Sequence, residues 1–255
     1  VRLQDPERKG YKFSGWTDNG LISKDSIGEK TFTASWEIIE YKISYALNGG
    51  TNSELNKDYY NVENEEVILA TPTRAGYTFN GWTNGGKIPA HSTGDREFVA
   101  SWTANKNTLK FNANDGNGSM SDITMFTDET KELPDNTFKR KGYEFKGWAT
   151  TADGSVQYLN LSTYKMGPNS ETILYAVWAL IIYTIDYNLN NGVVDKNPTE
   201  YSVKTESFSL ATPKRDGYTF TGWSGTDING QSVSVIVEKD SIGNRFYVAN
   251  WQANL

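Results

Sequence analysis

Gly76-Tyr77-Thr78-Phe79-Asn80-Gly81-Trp82 occurs four times in this 255-residue chain as Gly-Tyr-x-Phe-x-Gly-Trp, with the other copies starting at Gly10, Gly142 and Gly217. A second signal, x-Ala-x-Trp, follows each copy and ends at Trp36, Trp102, Trp178 and Trp251. These two positions, four times over, account for all eight Trp. The chain is therefore an array of four related units, and that repeat has to be read before anything else. Successive copies lie 66, 66 and 75 residues apart, longer than a solenoid or propeller period. Units of that length can each own a small core. The expected division is 1–38, 39–104, 105–180 and 181–255, with the first unit lacking a front half and the chain reading as a fragment of something longer.

Inside a unit the pattern is that of strands. Tyr41, Ile43, Tyr45 and Leu47 alternate with mostly polar residues before Asn48-Gly49-Gly50, the period of a half-buried strand ended by a turn. The third unit repeats this with Leu109, Phe111 and Ala113, and the fourth with Ile185, Tyr187 and Leu189. The polar stretches that follow, Asn52 to Asn61, Ser119 to Thr130 and Val194 to Ser202, show little period and have room for a short helix or turn across the sheet. Next comes a strand closed by proline at Pro72 and Pro213, because Pro cannot donate to a ladder. In the motif strand Tyr77, Phe79 and Gly81 fall on one face, and Trp82 points away from them or follows a bulge. Glycine on a face of large rings is expected to leave room for a crowded neighbour. The last strand alternates Phe98, Ala100 and Trp102, which suits interdigitation with the motif strand. The two Trp are 20, 30 and 28 positions apart in the last three units, a length variation that marks an exposed loop.

The expected structural core is Tyr77, Phe79, Gly81, Trp82 and Trp102, then Tyr143, Phe145, Gly147, Trp148 and Trp178, then Tyr218, Phe220, Gly222, Trp223 and Trp251. Small modules without disulfides are marginal, and large aromatic side chains compensate because each buries roughly 150–250 Å². The linkers are short and not Gly/Ser-rich, so the array is expected to be a monomeric rod of limited flexibility.

The strand, Asn-Gly-Gly, proline, Gly-Tyr-x-Phe-x-Gly-Trp and x-Ala-x-Trp, in that order, resemble the Listeria–Bacteroides repeat, also called the internalin B-repeat. The resemblance covers nearly the whole chain. It implies an α+β, mostly β module similar to a small β-grasp, ubiquitin-like fold, repeated in tandem. It also implies an extracellular bacterial cell-surface protein, wall-attached or secreted, in which such modules form a stalk or adhesin segment.

Chemistry is sparse. The formal net charge is −6, against a nucleic-acid binder, which needs a basic stripe. There is no Cys and one His, His91, which leaves little for a nucleophile–base triad or a three-His zinc site. No apolar run is long enough to span a bilayer as a helix, and no signal peptide is legible. Asp25, Asp95, Asp153 and Asp240 sit in the post-Trp loops and read as solvated turn acids. Asp115-Gly116-Asn117-Gly118-Ser119 starts like a calcium loop, but Met120 and Phe126 stand where that loop needs Gly and Glu. No catalytic, cofactor or metal residue is assigned. Ligand contacts, if the loops carry them, fall to Tyr59, Tyr60, Tyr158, Tyr164 and Tyr201, with a host glycan, mucin or host surface protein as partner. The leading expectation is a non-catalytic spacer in adhesion. The alternatives are a binding module acting through its variable loops and an accessory segment of a surface enzyme.

Overall fold

The structure, a computed structural model, describes residues 1–255. It falls into two compact units: Val1–Asn107 with Phe126–Asp128 and Gly167–Ser170, and Thr108–Met125 with Glu129–Met166 and Glu171–Leu255. The first unit holds the two-stranded sheet Tyr11–Trp16 with Ala34–Ile38, and a four-stranded sheet. In that larger sheet the spatial order is Tyr59–Tyr60, Tyr41–Ala46, Arg96–Ala104, Tyr77–Trp82. The two central strands run parallel, and both edges are antiparallel to their neighbours. Two further sheets share that strand order. One is Ile123–Phe126, Lys106–Asn112, Glu171–Leu180, Tyr143–Ala149, and the other is Glu200–Tyr201, Tyr183–Asn188, Arg245–Ala253, Tyr218–Gly225. Each four-stranded sheet is accompanied by a two-stranded one, such as Val67–Ile68 with Lys87–Ile88.

The molecule is mostly β. The polar stretches that left room for a helix hold short edge strands and turns. Only two short 3-10 turns occur, Thr17–Gly20 and Thr83–Gly86. Each contains three residues of positive φ, for instance Asn84 at 53°, Gly85 at 66° and Gly86 at 65°, a conformation Asn and Gly tolerate best.

The motif strand is bulged. Phe79 pairs with Trp102, but Gly81 pairs with Ser101 and Trp82 with Ala100, so Asn80 is an extra residue. The same shift recurs at Phe13/Gly15, Phe145/Gly147 and Phe220/Gly222. It returns Trp82 to the face of Phe79, and the Phe ring then stands edge-on between two indoles. Phe79 lies 5.6 Å from Trp82 and 5.2 Å from Trp102, and Phe145 lies 4.9 Å from Trp148 and 5.6 Å from Trp178. Edge-to-face pairs of this kind add about 0.5–1.5 kcal/mol beyond area burial. The Ala of x-Ala-x-Trp is the cross-strand partner of the motif Trp in every copy, a small side chain opposite a large one.

The bulge changes the reason for the motif's second glycine. Crowding by aromatic rings was expected, but the backbone demands it first: Gly15, Gly81, Gly147 and Gly222 have φ 142°, 128°, 146° and 138°, where L side chains are strained. At Gly81 a Cβ would meet nothing within 4 Å. At Gly147 it would lie 2.5 Å from the Tyr158 carbonyl oxygen, and at Gly222 3.0 Å from the Ser232 backbone.

That difference follows from the length of the post-Trp segment. The longer segments of the third and fourth repeats fold back on the motif strand. The Trp148 amide donates to the Tyr158 carbonyl at 2.8 Å and the Trp223 amide to that of Ser232 at 2.8 Å. The returning backbone covers the indoles, and Trp148 and Trp223 are fully buried. Trp82, without that cover, keeps its Nε1–H on the Ala70 carbonyl at 3.2 Å, whereas Trp148 and Trp223 Nε1 have no protein partner. The segment read as a free loop is thus, in these two copies, partly a lid on the core.

Asn-Gly-Gly and the closing Trp form one lock. Trp102 Nε1 donates to the Leu47 carbonyl at 2.9 Å, Trp178 to Ala113 at 2.9 Å and Trp251 to Leu189 at 3.0 Å. Asn48, Asn114 and Asn190 take φ of 49°, 47° and 46° and donate their amides to the carbonyls of Ala100, Ala176 and Ala249. A Cβ at Gly50 would fall 2.5 Å from the Trp102 ring and one at Gly116 2.9 Å from Trp178, so the ring packs directly on bare backbone.

The core also sets a response to alkali. Burial, and then the charge of Asp58, push the Tyr45 hydroxyl up to about 12 from its ordinary 10.0, and that hydroxyl donates to the Lys57 carbonyl at 2.5 Å. A raised folded-state value means the native state holds this proton more tightly. The associated stability is complete below pH 10 and is lost as pH rises through about 12. Thermal melting points should fall across that window, and Tyr45→Phe should flatten the fall.

Candidate functional site

The structure separates the expected core residues into two groups. Phe79, Trp82 and Trp102 pack in one cluster, Phe145, Trp148 and Trp178 in a second, and Phe220, Trp223 and Trp251 in a third. Tyr77, Tyr143 and Tyr218 lie outside all three clusters. They occupy the start of the motif strand, before the Phe, where the sheet has no buried layer for a large ring. Each phenol instead lies beneath a guanidinium. Arg8 stands 3.8 Å from the centre of the Tyr11 ring, Arg74 3.5 Å from Tyr77, Arg140 4.1 Å from Tyr143 and Arg215 3.7 Å from Tyr218. A cation over an aromatic face at an exposed site contributes about 0.5–1 kcal/mol.

This pairing was legible and was missed. Arg precedes the motif Tyr by three residues in all four copies, as Arg-x-Gly-Tyr. The turn closes with the Tyr amide donating to the Arg carbonyl at 3.0–3.1 Å. Gly10, Gly76, Gly142 and Gly217, at φ 77°, 78°, 73° and 74°, supply the left-handed residue that brings the ring under the guanidinium. In two copies the Arg also reaches the Asn-Gly-Gly turn: Arg74 donates to the Asn48 carbonyl at 2.8 Å, and Arg140 bonds the Asp115 carboxylate at 3.3 Å. Asp115, placed at the start of a calcium-like loop by sequence, is thus a turn residue at φ 66° facing a guanidinium.

Most of the tyrosines considered as ligand contacts are used inside the protein. Tyr60, Tyr164 and Tyr201 are buried at 2%, 4% and 3% exposure, leaving no ring face for a ligand. Tyr60 donates its hydroxyl to the Gly94 carbonyl at 2.5 Å, and Tyr201 does the same to Gly243 at 2.5 Å. Tyr158 is half-buried against Tyr164, with ring centres 5.1 Å apart. Tyr59 alone of the five is exposed, at 54%. The reason lies in strand alternation: Tyr60 and Tyr201 fall on the inward face of short edge strands that looked like loop.

The loop acids are dispersed. Asp95 accepts the Lys42 amide at 2.8 Å, Asp25 and Asp240 sit in left-handed turns at φ 65° and 63°, and no three His, Asp or Glu side chains are grouped to hold a metal. His91 places Nδ1 2.9 Å from the Val62 carbonyl, so that nitrogen carries the proton. Arg245 is the one buried cation. Burial opposes its charge, but hydrogen bonds with Tyr247, Tyr201 and Asp227 outweigh burial and hold it charged.

A family model, the Listeria-Bacteroides repeat domain, matches this chain four times, over residues 1–36, 41–99, 108–177 and 183–242. The chain belongs to the Listeria–Bacteroides repeat family. Among similar proteins, one from Evansella cellulosilytica named "Putative membrane protein" is 31% identical over 193 residues, covering 68% of this chain and 28% of that protein. A second from the same organism, named "Putative Gly-rich membrane protein", is 25% identical over 236 residues, covering 84% of this chain and 27% of its own length. Internalin H of Listeria monocytogenes is 28% identical over 140 residues, 55% of this chain and 24% of its own. The Listeria–Bacteroides repeats here thus span about a quarter of the length of the relatives they match. No helix of the chain is long and apolar enough to cross a membrane.

Proposed function

We propose that these repeats form a non-catalytic, extended spacer in a bacterial cell-surface protein, holding another part of that protein away from the cell in adhesion. One observation carries the reading: the residues that recur in every copy are consumed by the fold. Phe and both Trp stack on each other, Asn-Gly-Gly receives the closing Trp, and Arg holds Tyr. What varies between copies is loop length, and the loops group no three potential metal ligands. Sheets with parallel central strands and antiparallel edges support a β-grasp-like module, with the polar stretch after Asn-Gly-Gly running where that fold carries a helix. We take 39–104, 105–180 and 181–255 as the complete modules, preceded by the partial one at 1–38.

Small-angle scattering tests the spacer reading. The expected radius of gyration is well above the roughly 18 Å of a compact globule of this length, and a value near 18 Å would overturn it. The second reading, loop-borne binding of a host glycan, mucin or host surface protein, is favoured by the exposed ring of Tyr59. It requires such a ligand to raise the melting temperature by mass action, about 2.7 kcal/mol of stabilisation at a hundredfold excess over Kd. It also requires Tyr59→Ala to abolish that shift. The expected result is no shift and no turnover.

A further inference from the structure

The Gly-Tyr face of the motif is occupied in three copies and open in the fourth. Within the first unit, a Cβ at Gly10 would collide with the Val62 side chain, and one at Gly76 would fall 2.6 Å from Thr127 and 2.8 Å from Pro168. Within the second unit, a Cβ at Gly142 would collide with Val203. Val62, Thr127 and Val203 are β-branched residues at one repeated position, just after the first edge strand of a repeat. The residue that follows the first two is acidic and takes the Tyr hydroxyl: Tyr11 donates to Glu63, and Tyr77 to Asp128 at 2.6 Å. Val203 is followed by Lys204, and there the hydroxyl bond is not repeated. The residue three after the closing Trp anchors the exit of the chain in each copy. Ile39, Asn105 and Ile181 donate their amides to the carbonyls of Gly10, Gly76 and Gly142 at 2.9–3.0 Å.

At the fourth copy every element of this face is present. Asn254 donates to the Gly217 carbonyl at 3.0 Å, and Arg215 lies over Tyr218. Yet a Cβ at Gly217 would meet nothing within 4 Å, and Tyr218 is 37% exposed. We infer that Arg215, Gly217 and Tyr218 form a docking face for the edge turn of a further repeat of this kind, joined directly to the closing strand of the fourth. The turn places a β-branched residue over Gly217 and a carboxylate at the Tyr218 hydroxyl beside Arg215. The occupant is a repeat in covalent continuation, because the anchored Asn254 amide already aims the chain as Ile39, Asn105 and Ile181 do, and because the three such turns present are all engaged at their own Gly-Tyr faces. The inference concerns how repeats join and stands whether or not the array is a spacer.

The test appends residues 41–104, which carry Val62 and Glu63, directly after Leu255 of the full chain. Amide and ring resonances of Gly217 and Tyr218 should shift relative to the 255-residue chain. ¹⁵N relaxation should show the added repeat tumbling with its neighbour. Val62→Asp in the appended copy should return those resonances to their positions in the original chain, while the added indole signals report that the copy remains folded. If the added copy fails to fold, residues 107–180, which carry Thr127 and Asp128, take its place. Unchanged Gly217 and Tyr218 resonances beside a folded added repeat, or shifts that survive Val62→Asp, would overturn the inference.

Discussion

Trp148→Ala is expected to destabilise the third repeat by about 3–5 kcal/mol, the range for a large aromatic removed from a packed core. The indole is fully buried. It touches Phe111 at 5.0 Å, Phe138 at 6.0 Å and Phe145 at 4.9 Å between ring centres. The sheet behind it and the returning segment at Tyr158 leave the site little means to collapse. Small domains have only about 5–15 kcal/mol in total, so the affected repeat should unfold early in a denaturant titration. The same substitution at Trp16, which is half-buried in a two-stranded sheet, should cost clearly less. A loss below about 1 kcal/mol at Trp148 would show that the indole is not a core element.

Gly147→Ala should be nearly as damaging, about 3 kcal/mol from the sum of a strained positive φ and an overpacked contact. The φ of 146° opposes any side chain, and the added carbon would press on the Tyr158 carbonyl oxygen. That carbonyl accepts the Trp148 amide at 2.8 Å, so relief by movement loosens the lid over the indole. Gly81→Ala separates the two causes. It has the same kind of bulge at φ 128°, but open space where the methyl would go, and should cost about 1–2 kcal/mol from strain alone. Equal losses at the two positions in thermal melts would show that backbone conformation is the whole effect and that the returning segment does not press on the strand.

Much of this was open to the sequence. The four-fold recurrence of Trp at two fixed positions gave the array, the strand order along each repeat and the family, because a ring used in a core must reappear wherever that core is rebuilt. Alternation along the closing strand put Phe98, Ala100 and Trp102 on one face, set to interdigitate with the motif strand. Alternation also misled. It put Tyr77 with Phe79 and left Trp82 uncertain, because a bulge of one residue inverts the facing of everything beyond it, and no local signal except the glycine marks where the extra residue falls.

Tertiary structure alone decided the rest. Whether Tyr60, Tyr164 and Tyr201 were loop rings or core rings depended on two- and three-residue strands, too short for any period to register. Whether a post-Trp segment stays free or covers an indole depended on backbone bonds from Trp148 to Tyr158 and from Trp223 to Ser232, which are sequence-independent groups meeting at a distance. The Arg-x-Gly-Tyr turn was written in the sequence, but its purpose was not. A glycine and a tyrosine at a strand end look alike whether buried, docked or bare, and only the position of Val62, Thr127 and Val203 against the first three, with nothing against the fourth, tells those states apart.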